Sequence, residues 1–144
     1  MGASVLELRD FPGGGDPARL LPAQSAESAP FWNALAQGHL MVQACDRCER
    51  ARHPIAPICP YCADASFGWR TLSGAGVVHS WARYHRSYLP EFEPLIPYVV
   101  LCVSLDEGPR MFGRLARGEP AIDGRVQAVL ERFAGGGCAI AFDG

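Results

Sequence analysis

The sequence predicts a mainly β chain with one short helix near its N-terminus, a cysteine-knuckle ribbon and a small five-stranded barrel. Three observations carry this expectation. Two Cys-x-x-Cys pairs lie ten residues apart, a short apolar period of helical spacing precedes them, and five strand-length apolar runs follow. At 144 residues, against a working figure of about 150 per domain, the chain makes one domain or two very small ones. Its 49% hydrophobic and 19% charged content reads as globular, not disordered. All 13 cations are arginine and the formal net charge is −2. A generic nucleic-acid binder is expected to be basic, so that class starts at a disadvantage.

Residues 1–26 show no sustained period and contain the breaker run Phe11-Pro12-Gly13-Gly14-Gly15-Asp16-Pro17, so they read as an extended arm. The helix is expected over 27–39. Ser28 is its candidate cap, Pro30 suits the first turn and Gly38 stands where a terminating glycine belongs. Phe31, Trp32, Ala34 and Leu35 give it an apolar side for docking. Leu40, Val42 and Ala44 alternate as a strand running straight into Cys45. From Leu72 onward the pattern is β. Strands are expected over Val77–His85, Tyr98–Leu105, Arg110–Arg117, Val126–Ala134 and Cys138–Phe142, with Val78, Val100, Cys102, Leu115, Val129 and Ile140 facing inward.

The four cysteines Cys45, Cys48, Cys59 and Cys62 are the strongest chemical signal. Two thiolates spaced by two residues both reach one ion from a tight knuckle, and two knuckles complete a closed tetrahedral zinc site. Four protein ligands leave no open position, so such an ion is structural. Two other chemistries use the same residues. Cys59-Pro60-Tyr61-Cys62 alone spells a glutaredoxin-type redox pair, and rubredoxin-like iron also takes four thiolates. The redox pair calls for a helix after its first cysteine, and residues 63–69 carry no helical period. Cys102 and Cys138 sit in apolar runs and read as buried, inert thiols.

The order of these signals resembles a known family. Phe31-Trp32 leads to Gly38-His39-Leu40 and Gln43-Ala44-Cys45-Asp46-Arg47-Cys48. Pro57-Ile58-Cys59-Pro60-Tyr61-Cys62, Trp69 and Leu72-Ser73-Gly74-Ala75-Gly76-Val77-Val78 follow, then Pro97-Tyr98-Val99-Val100 and Leu105-Asp106-Glu107-Gly108. The pattern is similar to the acyl-CoA-associated zinc-ribbon/OB-fold proteins, long catalogued as domain of unknown function thirty-five. The resemblance implies a short N-terminal helix, a zinc ribbon over 40–71 and a five-stranded OB-fold barrel over 72–144. It implies Cys45, Cys48, Cys59 and Cys62 as zinc ligands. It also implies an accessory subunit of an acyl-CoA lyase or acyltransferase complex, as in lipid or steroid degradation. The partner would be a thiolase-fold enzyme (thiolase, acyltransferase or sterol side-chain aldolase) or a hot-dog-fold hydratase. It supplies no catalytic residue. One stretch departs from the pattern: Trp81-Ala82-Arg83-Tyr84-His85-Arg86 stands where smaller β-branched residues are expected.

The residues themselves offer no self-contained catalytic set. There is no G-x-S-x-G elbow and no H-E-x-x-H. His79 and His85 lie six residues apart on one expected strand, about 20 Å at ~3.3 Å per residue, too far to act together. Arg83, Arg86 and Arg114 are candidate contacts for the phosphates of CoA. The long apolar loop from His85 to Pro97 invites burial, and Leu6, Leu8, Phe11 and Leu20 of the arm invite ordering on a partner. A hetero-oligomer is therefore expected. With no apolar leader or spanning run in view, the expected location is the cytoplasm and no membrane contact is anticipated. The alternative class is a zinc-ribbon/OB protein for single-stranded nucleic acid, which needs a cationic groove with exposed aromatics.

Overall fold

A computed structural model describes residues 5–17 and 21–144. Helix α1, Ala29–Ala36, buries Phe31, Ala34 and Leu35. Gly38 ends it at φ 88°, a left-handed conformation that glycine adopts without a Cβ clash. The Gly38 and His39 N–H groups donate to the carbonyls of Leu35 and Ala34, each at 2.9 Å. Ser28 corrects the capping expectation. Its backbone is already helical and its hydroxyl makes no cap bond, accepting instead from the Ser25 N–H at 2.9 Å. A side-chain cap needs extended dihedrals that Ser28 lacks.

The ribbon is a three-stranded antiparallel sheet of β2 (Leu40–Cys45), β3 (Ala51–Arg52) and β4 (Phe67–Leu72), with β2 in the centre. Its register sets Leu40 opposite Leu72 and Cys45 opposite Phe67. After it come β5 (Ala75–Tyr84), β6 (Tyr98–Leu105), β7 (Arg110–Arg117), β8 (Arg125–Arg132) and β9 (Cys138–Asp143). These pair in the order β8-β5-β6-β7-β9, and β9 pairs back onto β8 to close the ring. The β7–β9 contact is parallel and the other four are antiparallel. A closed five-stranded ring with this connectivity is an OB barrel.

Two sequence expectations are corrected here. The arm is not left to a partner for its order. Leu8–Asp10 forms β1, which pairs in parallel with Leu130–Arg132 of β8, and Leu6 is buried in the common core. Phe11 packs edge-on against Phe92 and Phe133 at 5.5 and 5.2 Å. Gly13 is forced by this docking, since a Cβ there would lie 2.3 Å from the Glu91 carbonyl oxygen. Leu20 of the same expectation lies outside the described residues.

The inward register is the second correction. Val78, Leu115 and Ile140 face the core as expected, but β6 turns Val99, Leu101, Val103 and Leu105 inward in place of Val100 and Cys102. In β8 the core takes Val126, Ala128 and Leu130, and Val129 is buried on the opposite side, beside Val5–Glu7. In β6 apolar residues stand on both faces, so alternation carries little phase. In β8, by contrast, Val126, Ala128 and Leu130 alternate with Arg125, Gln127 and Glu131, and Val129 falls on that polar face. One cluster joins Phe31 and Leu35 of the helix, Leu40, Val42 and Ala51 of the ribbon, and the barrel interior around Leu101, Met111 and Phe142.

Candidate functional site

Each cysteine pair forms the same knuckle. The Cys45 N–H donates to the Arg50 carbonyl at 3.0 Å, and the Cys59 N–H donates to the Asp64 carbonyl at 2.8 Å. Glu49 and Ala63, one residue past each pair, both take left-handed φ values, 64° and 65°. Each returns its N–H to the carbonyl of the pair's first cysteine, at 3.0 and 2.9 Å. β2 delivers the first knuckle and the stretch before β4 carries the second. No helix follows Cys62, since the chain enters β4 at Phe67. The helix needed by the redox reading is not there.

The four sulfurs lie within 4.8 Å of one another, with Cys45 and Cys62 at 3.5 Å and Cys48 and Cys59 at 3.6 Å. Zn–S bonds of about 2.3 Å in a tetrahedron place sulfurs about 3.8 Å apart, so this donor set fits zinc. The protonation preferences agree. Burial pushes the Cys59 thiol up, but the Tyr61 and Cys62 N–H groups and neighbouring sulfurs outweigh it and hold it at about 6. The Cys48 N–H leads in holding Cys45 below the usual thiol range. Cys62 has help from the Asp64 N–H, yet burial and the three other sulfurs push it up to about 11. Four thiolates this close repel unless a cation sits among them. Among the described residues this is the one group of side chains arranged to hold a metal.

Around the knuckles three of the ribbon's arginines, Arg50, Arg52 and Arg70, are engaged internally. Arg50 lies over the Tyr61 ring at 4.6 Å, and Arg70 donates to the Glu49 carbonyl at 2.9 Å. Arg52 is 4% exposed, donating through Nε to Gln43 Oε1 and through Nη2 to the Ala56 carbonyl, both at 3.0 Å. The same Gln43 oxygen accepts the Ala56 N–H at 2.9 Å. This buried pair was not legible in the sequence, where Arg52 looks like one more ribbon cation. The only hint was a glutamine in an otherwise apolar strand.

The other expected positions separate. His53 stacks on Phe31 at 5.3 Å, and burial pushes its pKa below the usual histidine range. It reads as a packing residue. Cys102 and Cys138 are buried, and burial pushes the Cys138 thiol up. Arg83 and Arg114 do line one cleft of about 270 Å³ with Tyr98 and Glu119. Arg114 is paired there with the buried Glu131, while Arg83 stands 3.8 Å from the exposed Glu119. Arg86 lies apart, over Tyr88 at 5.1 Å. The 85–97 loop divides. Tyr88 and Leu89 are exposed, whereas Phe92, on a 3₁₀ turn over Pro90–Leu95, packs on Tyr98. A feature unseen in the sequence is an apolar cavity of about 570 Å³ where helix, ribbon and barrel meet, lined by Phe31, Trp32, His53, Met111, Phe112 and Ile140.

Comparison with known proteins places this architecture. Residues 32–68 match the domain described as the ChsH2 rubredoxin-like zinc ribbon, and residues 69–131 match the ChsH2 C-terminal OB-fold domain. The described fold also superposes on a chain of the "Ltp2-ChsH2(DUF35) aldolase" with TM-score 0.76 and 30% identity, covering 85% of this chain and 98% of that one. The chain belongs to the ChsH2 (DUF35) family. A Sulfolobus solfataricus protein of the DUF35 family shares the fold at 14% identity and TM-score 0.57, covering 83% of this chain and 86% of that one.

Two longer relatives carry hydratase names. A probable enoyl-CoA hydratase alpha subunit of Thermomonospora curvata is 40% identical over 96 residues, 65% of this chain. The 3-oxo-4,17-pregnadiene-20-carboxyl-CoA hydratase alpha subunit of Mycobacterium tuberculosis is 31% identical over 104 residues, 72% of this chain. The matched stretch spans 29% and 32% of their respective lengths. Among the described residues, no helix is long and apolar enough to cross a membrane.

Proposed function

We propose that this ChsH2-family chain is a non-catalytic accessory subunit of an acyl-CoA-processing complex. It pairs with a thiolase-fold enzyme (a thiolase, an acyltransferase or a side-chain-cleaving aldolase) and helps to hold acyl-CoA. The observation that carries this reading is the likeness to nearly the whole ChsH2(DUF35) chain of an aldolase. The chemistry of the described side chains is consistent with it. The cysteine cluster is closed, His53 is packed on Phe31, and Arg114 of the barrel is paired with Glu131. In this role Cys45, Cys48, Cys59 and Cys62 hold one structural zinc, and the groups that touch the reacting atoms come from the partner. The apolar cavity beside α1 has room for part of an acyl chain. Of the three arginines considered for CoA phosphates, Arg114 is held by Glu131, and none of the three lines that cavity.

The hydratase names of the two longer relatives favour a second reading, in which the partner is a hot-dog-fold hydratase. One experiment separates these. The chain is purified alone, with a co-expressed thiolase-fold enzyme, and with a co-expressed hydratase, and each is assayed on β-hydroxyacyl-CoA, enoyl-CoA and, with free CoA, β-ketoacyl-CoA substrates. The chain alone is expected to be inactive and the first pair active in C–C bond cleavage or acyl transfer. Turnover by the isolated chain would sink the accessory role. A salt-sensitive shift with single-stranded oligonucleotides at low micromolar concentration would favour the nucleic-acid alternative instead.

A further inference from the structure

The outer half of β5 has no part in the metal centre or the acyl cavity. Every residue from His79 to Arg86 is exposed, although Ser80–Tyr84 pair with β6 along one edge. The other edge is open. β8 begins at Arg125, opposite Val77, and the loop before it reaches only Val78, through the Gly124 carbonyl at 3.0 Å and the Asp123 N–H at 2.9 Å. Over Ser80–Tyr84, alternate backbone N–H and C=O groups therefore face outward with no strand partner among the described residues. β8 shows what the fold does with such an edge elsewhere, since β1 covers it. An edge this long is an aggregation hazard when nothing covers it.

Its side chains are those of an interface. Trp81 is 40% exposed, Tyr84 43% and Tyr88 83%. The Arg83 guanidinium lies 5.8 Å from the Trp81 ring centre, and Arg86 lies over Tyr88. From His79 to Leu89 there are two arginines, two histidines and no acid. The acid facing the strand from a neighbouring loop is Glu119, 3.8 Å from Arg83 and 90% exposed.

We propose that this edge is a docking strand, onto which the partner enzyme adds an extended, acidic segment alongside Ser80–Tyr84. Main-chain bonds would supply the ladder, while Trp81, Arg83, Arg86 and Tyr88 select an acidic, partly apolar sequence. Charge decides against a second copy of this chain as the occupant. Antiparallel self-pairing would bring two copies of Arg83 onto one ladder, each followed by Arg86 just beyond it, with no acid supplied by either strand. The proposal rests on the accessory-subunit reading but can fail without it.

The test uses the full chain and its co-expressed thiolase-fold partner. Amide hydrogen exchange at Ser80–Tyr84 is expected to slow on complex formation. Trp81→Ala and Arg86→Glu are expected to weaken the complex at least tenfold, and wild-type affinity should fall as salt rises. Both positions are exposed, so zinc content and thermal unfolding of the variants should match the wild type. A complex that leaves exchange at Ser80–Tyr84 unchanged, with both variants binding normally, overturns the docking strand and leaves the accessory role standing. A dimer of the chain alone that protects the same amides overturns the acidic-partner assignment. Failure to bind any acyl-CoA enzyme overturns both readings.

Discussion

Single residues fix the ribbon. Ala63 holds φ 65°, a conformation that costs an L-residue about 1–2 kcal/mol against the ~0.5–1 kcal/mol entropic cost of glycine. Ala63→Gly is therefore expected to stabilise the chain by about 0.5 kcal/mol, read as a small rise in melting temperature. Cys59→Ser should remove the zinc, and a near-unit zinc ratio retained by that variant in elemental analysis would refute the ligand set. Arg9 illustrates a polar contact of the arm. Its Nη1 donates to Asp143 Oδ1 at 2.7 Å and its Nε to Glu7 Oε1 at 2.7 Å. The bond from Arg9 holds the Asp143 carboxyl below its usual range. A depressed carboxylate stabilises the fold above its unfolded pKa, and that contribution is lost as pH falls through the folded value. Arg9→Ala should cost about 1 kcal/mol near neutrality, discounted for partial exposure. The gap from wild type should persist above about pH 5 and close well below about pH 4 in acid-unfolding curves.

At the scale of elements, the arm and β6 are where reading and structure part. The arm has no period because a three-residue strand is too short to show one. Its partners, Leu130–Arg132 and Phe133, lie more than a hundred residues away in sequence. Leu6→Ala should destabilise the chain by about 2–3 kcal/mol through lost burial and a cavity, measured by urea unfolding. An unchanged midpoint would mean the arm is not part of the folded core. The sequence pattern places β6 to the residue, Tyr98–Leu105, and the structure turns its other face inward. With valine or leucine on both faces, only the ring of neighbours decides which face looks inward.

For the whole molecule, the shared cluster has a consequence. Leu40, Val42 and Ala51 of the ribbon pack in the same core as Leu101 and Phe142 of the barrel. Removing zinc with a chelator is therefore expected to lower the unfolding temperature of the entire chain in one transition. A barrel melting unchanged beside a lost ribbon transition would show two independent units.

The sequence by itself determined the element order, the five barrel strands and the cysteine quartet. Each of these rests on local signals: period, turn residues and the two-residue spacing that suits one ion. It also marked Trp81–Arg86 as unusual without saying why. Tertiary structure alone decided that β1 covers β8, that Arg52 is buried on Gln43, that Arg114 is held by Glu131, and that the outer half of β5 is left uncovered. The physical reason is common to all four. Which residue meets which depends on how the strands pair in three dimensions, and a pattern read along the chain carries no information about the segment that lies alongside.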